Sequence, residues 1–188
     1  MNKSKHLIQI RQARIIGTFF LLAFLLYGIG RNQFEGEQLV QKYIGASLIV
    51  SNSIVVLLIG IFLRRTLLKY NPMVGNSYLF SRVVEAIALM SIVLNLIPEI
   101  SISMDYGYFI AMIVLGLGSI PMCYTLYKNK LIPVWLGIWG VLGYAVFAFG
   151  FLMEFFGKEW SMYLLILGGL WEIVFAIWLL IKGGKEKV

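Results

Sequence analysis

Six long apolar segments, separated by short polar or charged stretches, follow one another along the chain. A helix that crosses the hydrocarbon core of a bilayer needs about 20 residues at a rise of 1.5 Å per residue. The pattern therefore predicts an all-α integral membrane protein, built as a bundle of six transmembrane helices. The predicted spans are residues 15–30, 43–63, 75–97, 107–127, 133–156 and 160–181.

Basic residues are distributed unevenly around these spans. Most of the 16 Lys and Arg residues lie in a leader at residues 1–14, in a tail at residues 183–188 and in the loops on the same side, whereas the loop acids lean to the other side. Because positively charged loops stay cytoplasmic, both termini are predicted to be cytoplasmic. Residues 15–182 form one predicted domain, and its short connections make successive helices antiparallel neighbours.

The amino-acid composition limits the classes of protein to which the chain can belong. Hydrophobic residues make up 60% of the 188 residues and charged residues only 13%, about half the share found in soluble domains. The predicted surroundings are therefore the lipid bilayer. The net charge of +7 is spread between apolar segments without a contiguous basic patch, so no nucleic-acid partner is predicted. Cys123 is the only cysteine, which excludes an intrachain disulfide.

A few ionisable side chains interrupt the predicted spans. Arg82 and Glu85 lie three residues apart in the third span, and Glu172 lies midway along the sixth. Together with one asparagine of the second span, they lie in one layer, roughly 10–18 Å from the cytoplasmic end. A charge that faces lipid at this depth costs at least about 2.5 kcal/mol, so these groups are predicted to face inward. The predicted ligand-binding or polar-core residues are Arg82, Glu85, Glu172, Asn52, Tyr78 and Ser81.

This polar layer has two interpretations. As a structural lock it would fix the helix register, although a buried ion pair often adds little net stability. As a functional site it would bind or move a small amphipathic molecule, a lipid headgroup or a proton. Two carboxylates beside one arginine leave excess negative charge, so we expect one glutamate to be protonated or paired with a ligand cation. We rank the functional interpretation first, because ionisable residues inside a membrane usually mark function.

Signatures of catalysis are sparse. The only histidine, His6, lies in the leader, which excludes haem ligation by histidine within the membrane and zinc sites of the H-E-x-x-H type. No P-loop and no G-x-S-x-G motif occurs. We therefore predict no cofactor, no metal and no catalytic residue. An intramembrane enzyme that uses Glu85 or Glu172 as acid or base ranks below a binding protein and below a non-catalytic accessory, immunity or sensor subunit that acts through a protein partner.

Glycines mark positions where helices can approach closely. The stripe formed by Gly137, Gly140 and Gly143 predicts tight helix contact on the fifth span. That contact fits packing within the chain and the interface of a homo-oligomer equally well. Gly168 and Gly169 lie one turn before Glu172, so a neighbouring backbone or a ligand can approach this carboxylate.

Four motifs carry a family resemblance. They are ARIIG at 13–17, Y-x-x-x-R-x-x-E-A at 78–86, L-I-P-x-W-L-x-x-x-G-x-x-G-Y at 131–144 and G-G-L-x-E-x-x-x-x-x-W-L-x-x-K-G at 168–183. With them the chain resembles an uncharacterised family of bacterial polytopic membrane proteins, catalogued as domain of unknown function 4386. The resemblance implies a multi-pass protein of the bacterial plasma membrane with no assigned activity and no known substrate. It also selects Arg82, Glu85 and Glu172.

Overall fold

Six long helices make up the protein. The computed structural model describes residues 3–97, 99, 100 and 104–181, so the predicted tail at 183–188 lies outside the described residues. All six helices are long and apolar enough to cross a membrane, and the described residues form no strand. The predicted fold class, an all-α bundle of six membrane-spanning helices, is therefore confirmed. The helices are α1 (Lys3–Phe34), α2 (Leu39–Leu67), α3 (Pro72–Ser91), α4 (Met104–Lys128), α5 (Val134–Glu154) and α6 (Ser161–Ile181), and a short 3₁₀ helix, Ile92–Leu96, continues α3.

The local sequence explains where two of the helices begin. The Asn71 side chain accepts hydrogen bonds from the backbone N–H groups of Met73 and Val74, at 3.1 and 3.2 Å, and Pro72 occupies the first turn. This combination of cap and proline is favoured at helix N-termini. Helix α1 begins at Lys3, well before the predicted first span, because no glycine or proline interrupts the leader.

The helices form a closed ring. Each helix packs antiparallel against the next one in the chain, and α6 returns to pack against α1. We call the end at which α1 begins and α6 finishes the terminal end, and the other the opposite end. The glycine stripe of α5 contributes to this ring, since a Cβ at Gly137 would overlap Tyr127 of α4 and a Cβ at Gly143 would lie 3.1 Å from the Leu167 carbonyl of α6. The stripe thus makes the predicted tight contact within the chain.

Candidate functional site: a central polar cavity

A cavity of about 240 Å³ lies inside the ring and is lined by residues from all six helices. On every helix except α5, which contributes Phe147 alone, the lining residues lie about one turn apart, as expected for one helix face. Most of the wall is apolar, with rings from phenylalanines and aliphatic side chains. Four of the six predicted site residues line this single cavity, namely Asn52 of α2, Arg82 and Glu85 of α3 and Glu172 of α6.

Arg82 is held firmly at one wall of the cavity. Its Nη1 lies 3.0 Å from Glu85 Oε2, and its Nε donates to the Tyr78 hydroxyl at 2.8 Å. The guanidinium also lies over the Tyr78 and Phe20 rings, 5.1 and 5.5 Å from their centroids. Gly60 of α2 leaves room for the side-chain stem, since a Cβ there would lie 2.9 Å from Arg82 Cβ. These contacts fix the direction of the guanidinium.

Two buried polar atoms on the cavity wall have no hydrogen-bond partner among the residues that the structure describes. They are Arg82 Nη2, a donor, and Asn52 Oδ1, an acceptor. Both side chains belong to residues that are only 2% exposed. A buried polar group without a partner costs about 1–3 kcal/mol, so each such group calls for an explanation. Arg82 and Asn52 thus bring one spare donor and one spare acceptor to the cavity wall. Because each of these atoms exposes less than 1 Å², a ligand can bond to them only after a small side-chain shift.

Glu172 occupies a different part of the wall. Its Oε1 accepts a hydrogen bond of 2.7 Å from the Tyr144 hydroxyl, and the ion pair of Arg82 is formed with Glu85 and not with Glu172. Glu172 is partly exposed, whereas Glu85 is buried. The three predicted charged groups thus share one cavity but form two separate hydrogen-bonded pairs.

Two predicted site residues lie outside the cavity lining. Tyr78 is fully buried and supports Arg82 through its hydroxyl. Ser81 donates a hydrogen bond of 2.8 Å to the Tyr78 carbonyl, and a Cβ at Gly118 of α4 would overlap the Ser81 side chain. In this structure Tyr78 orients the arginine, and Ser81 lies at the packing interface of α3 with α4.

The sequence analysis missed Tyr144 as the partner of Glu172. The only signal was that Tyr144 ends the motif at 131–144 with a hydroxyl in the middle of a span. Two glycines of α6, Gly168 and Gly169, lie one turn before Glu172. Gly168 packs against Phe147, whereas Gly169 faces the cavity, so only one of these two glycines leaves space next to the carboxylate.

A cluster that sequence reasoning did not identify closes the cavity at the opposite end. The Tyr27 and Tyr108 rings line the cavity and stack with centroids 5.1 Å apart and an interplanar angle of 8°. The Arg31 guanidinium lies 5.5 Å from the Tyr108 centroid and bonds to Glu35 at 2.7 Å and to Asp105 at 2.8 Å. This cluster connects the end of α1 to the start of α4.

The chemistry available in the cavity is recognition by hydrogen bonds and charge. Among the residues that the structure describes, no group of three or more His, Cys, Asp or Glu residues could hold a metal ion. The donor of Arg82, the acceptor of Asn52 and the carboxylate of Glu172 can together hold a polar group, while the surrounding rings contact an apolar one.

A known family matches the C-terminal part of the chain, slightly less than half of it, which contains Glu172. Residues 99–183 match the family model described as Domain of unknown function (DUF4386). The predicted family resemblance is confirmed there. The DUF4386 match contains α4, α5 and α6 with the motifs at 131–144 and 168–183, while the motifs at 13–17 and 78–86 precede it. Comparison with curated proteins and with solved structures gave no match to the chain.

Proposed function

We propose that this multi-pass membrane protein binds a small amphipathic molecule in its central cavity, in the bacterial plasma membrane that the family resemblance implies. The polar part of the ligand bonds to Arg82 Nη2 and Asn52 Oδ1, and Glu172 lies within the same cavity. The apolar part contacts the aromatic and aliphatic walls. Binding of this kind requires no nucleophile and no metal.

The pair of unpartnered polar atoms is the observation that carries this proposal. A structural lock would be expected to satisfy its buried donors and acceptors, because a partly satisfied network is less stable than an apolar core. Here the lock is complete between Arg82 and Glu85, yet one terminal nitrogen of the same guanidinium remains free on the cavity wall. Such spare hydrogen-bonding capacity favours a binding site over a purely structural pair.

Replacement of Asn52 by leucine tests the proposal. Asn52→Leu keeps the side-chain size and removes an acceptor that has no partner within the described protein, so the free energy of unfolding should not fall. If a ligand uses this acceptor, its affinity should fall about tenfold, the equivalent of about 1.4 kcal/mol. The measurement is mass spectrometry of small molecules and lipids that co-purify in mild detergent, compared with the wild-type protein.

Ser119→Ala is the matched control. Ser119 Oγ is also buried without a partner among the described residues, but Ser119 does not line the cavity. We expect one defined species in the wild-type protein and in Ser119→Ala, and much less of it in Asn52→Leu. Identical ligand profiles in three folded samples would contradict the proposal and favour the accessory subunit that acts through a protein partner.

A further inference from the structure

The contact between α1 and α6 changes along its length. Towards the terminal end the two helices are tightly packed, since a Cβ at Gly17 would lie 2.7 Å from the Ala176 carbonyl oxygen, and the Phe20 and Phe175 rings meet at 5.6 Å. Towards the opposite end the contact is looser. A Cβ at Gly28 would meet no atom of another helix within 4 Å, and one at Gly169 would only touch the Phe24 ring of α1, at 3.9 Å. The α1–α6 contact that closes the ring is therefore tight at the terminal end and loose towards the opposite end.

This opening coincides with the most exposed part of the cavity lining. The lining residues of α2, α3 and α5 are buried, whereas Phe24 and Gly28 of α1 are exposed and Leu165, Gly169 and Glu172 of α6 are partly exposed. Glu172 lies mid-helix between apolar neighbours, so its partial exposure does not arise at a helix end. We call the gap bounded by Phe24, Gly28, Leu165 and Gly169 the side portal.

The exits along the bundle axis are occupied by side chains. At the opposite end the Tyr27–Tyr108 stack and the Arg31 cluster cover the cavity. Towards the terminal end Arg82 lies over Phe20 and Tyr78, both of which are buried. The side portal thus faces the lipid-exposed surface of a membrane-spanning bundle, which is the hydrocarbon region of the bilayer.

We infer that the ligand enters from the bilayer through the side portal, and that it is a lipid whose head carries both an anionic oxygen and an ammonium group with N–H donors. This inference rests on the proposed function and adds the route and the ligand class. The anionic oxygen accepts from Arg82 Nη2, and the ammonium donates to Asn52 Oδ1 and to Glu172. When both glutamates are ionised, the cavity holds one positive and two negative groups. The zwitterionic head adds no net charge, but it places its ammonium next to Glu172, the carboxylate that has no ion pair with Arg82.

Cavity size supports a lipid whose chains remain outside. Pockets that bury a drug-sized ligand measure about 300–1,000 Å³, and this cavity of about 240 Å³ is smaller. It therefore accepts a headgroup but not a complete two-chain lipid. The acyl chains have to leave through the side portal, where Phe24 and Leu165 provide an apolar surface that continues into the bilayer.

Photocrosslinking in nanodiscs tests the inference. Three phospholipids with the same diazirine-bearing acyl chain would be compared, carrying an ethanolamine, a choline or a glycerol head. We expect the ethanolamine lipid to label peptides containing Phe24 or Leu165 at least about fivefold more than the other two. Choline carries the same charges without N–H donors, and glycerol lacks the ammonium.

Gly28→Phe should close the portal without disturbing the fold, because the site of the new side chain is open space. Leu25→Phe is the control, since Leu25 is 60% exposed on the same helix and does not line the cavity. Loss of headgroup-selective labelling in Gly28→Phe, with labelling retained in Leu25→Phe, supports the portal. Equal labelling by all three lipids, or labelling unaffected by Gly28→Phe, overturns the inference.

The two proposals fail in different ways. If a ligand still co-purifies in an Asn52-dependent manner while Gly28→Phe has no effect, the portal is wrong and the binding function stands. If no Asn52-dependent ligand is found, and lipids label the portal without headgroup preference, both the inference and the proposed function are wrong. Asn52→Leu is therefore included in the crosslinking series.

Discussion

Two arginines occupy similar surroundings at different depths in the bundle. Arg31 lies at the opposite end with a side chain that is 27% exposed, and it bonds to Glu35, which directly follows α1, and to Asp105 on α4. Arg82 lies inside the ring with a side chain that is 3% exposed, and it bonds to Glu85 on its own helix. Both guanidiniums also lie over a tyrosine ring. The local motif, a cation between a carboxylate and a ring, is nearly the same.

The two guanidiniums differ in what their remaining N–H donors can bond to. At Arg31 water can serve any donor that the carboxylates do not use, so the cluster serves as a clamp between two helices. At Arg82 burial excludes that alternative, and Nη2 stays unpartnered, as does the Asn52 oxygen on the wall of the same cavity. The same residue type is therefore a structural contact in one place and a candidate binding group in the other, and burial decides which.

The largest effect is expected for Arg82→Met. This change leaves Glu85 buried without its partner, and breaking a buried ion pair from one side costs about 3–5 kcal/mol in the free energy of unfolding. Thermal unfolding in detergent measures the loss. The double variant Arg82→Met with Glu85→Leu should recover most of it, because apolar replacement of a whole pair is often close to neutral. A double variant as unstable as the single one would show that the pair is not the cause.

Much of this arrangement follows from the sequence. The six helices were predictable because lipid leaves the backbone no partner outside a helix, so long apolar segments must form one. The inward position of Arg82, Glu85, Glu172 and Asn52 followed from the cost of exposing polar groups to lipid. These arguments concern single residues and their solvent, and one sequence is enough to make them.

Partners across helices were not predictable in the same way. Helical periodicity places Ser81 near the face of Arg82, yet Ser81 packs against Gly118 of α4, because a face some 100° wide contacts more than one neighbour. The Tyr144–Glu172 bond and the Arg31–Asp105 pair join positions 28 and 74 residues apart. Their formation depends on the rotation of each helix within the ring, which the apolar pattern of a membrane helix determines only weakly.

An intermediate effect is expected for Tyr144→Phe. The change removes the hydroxyl that donates to Glu172, and loss of a hydrogen bond to a partly buried charged acceptor should lower the free energy of unfolding by about 1–2 kcal/mol. Tyr163→Phe is the matched control on α6, because Tyr163 is 76% exposed. Thermal unfolding of the two variants compares them. Equal losses would indicate that the Tyr144 hydroxyl contributes nothing specific.

The smallest effect is expected for Arg31→Gln. Its ion pairs are partly exposed, and exposed pairs contribute about 0–1 kcal/mol. Because salt screens exposed charges, the difference between Arg31→Gln and the wild-type protein should shrink further when unfolding is measured at about 0.5 M instead of about 0.05 M salt. The loss in Arg82→Met should change little over the same range, since its ion pair is buried. If Arg31→Gln were as costly and as insensitive to salt as Arg82→Met, burial would not separate the two arginines. The unpartnered nitrogen of Arg82 would then lose its significance as the mark of a binding site.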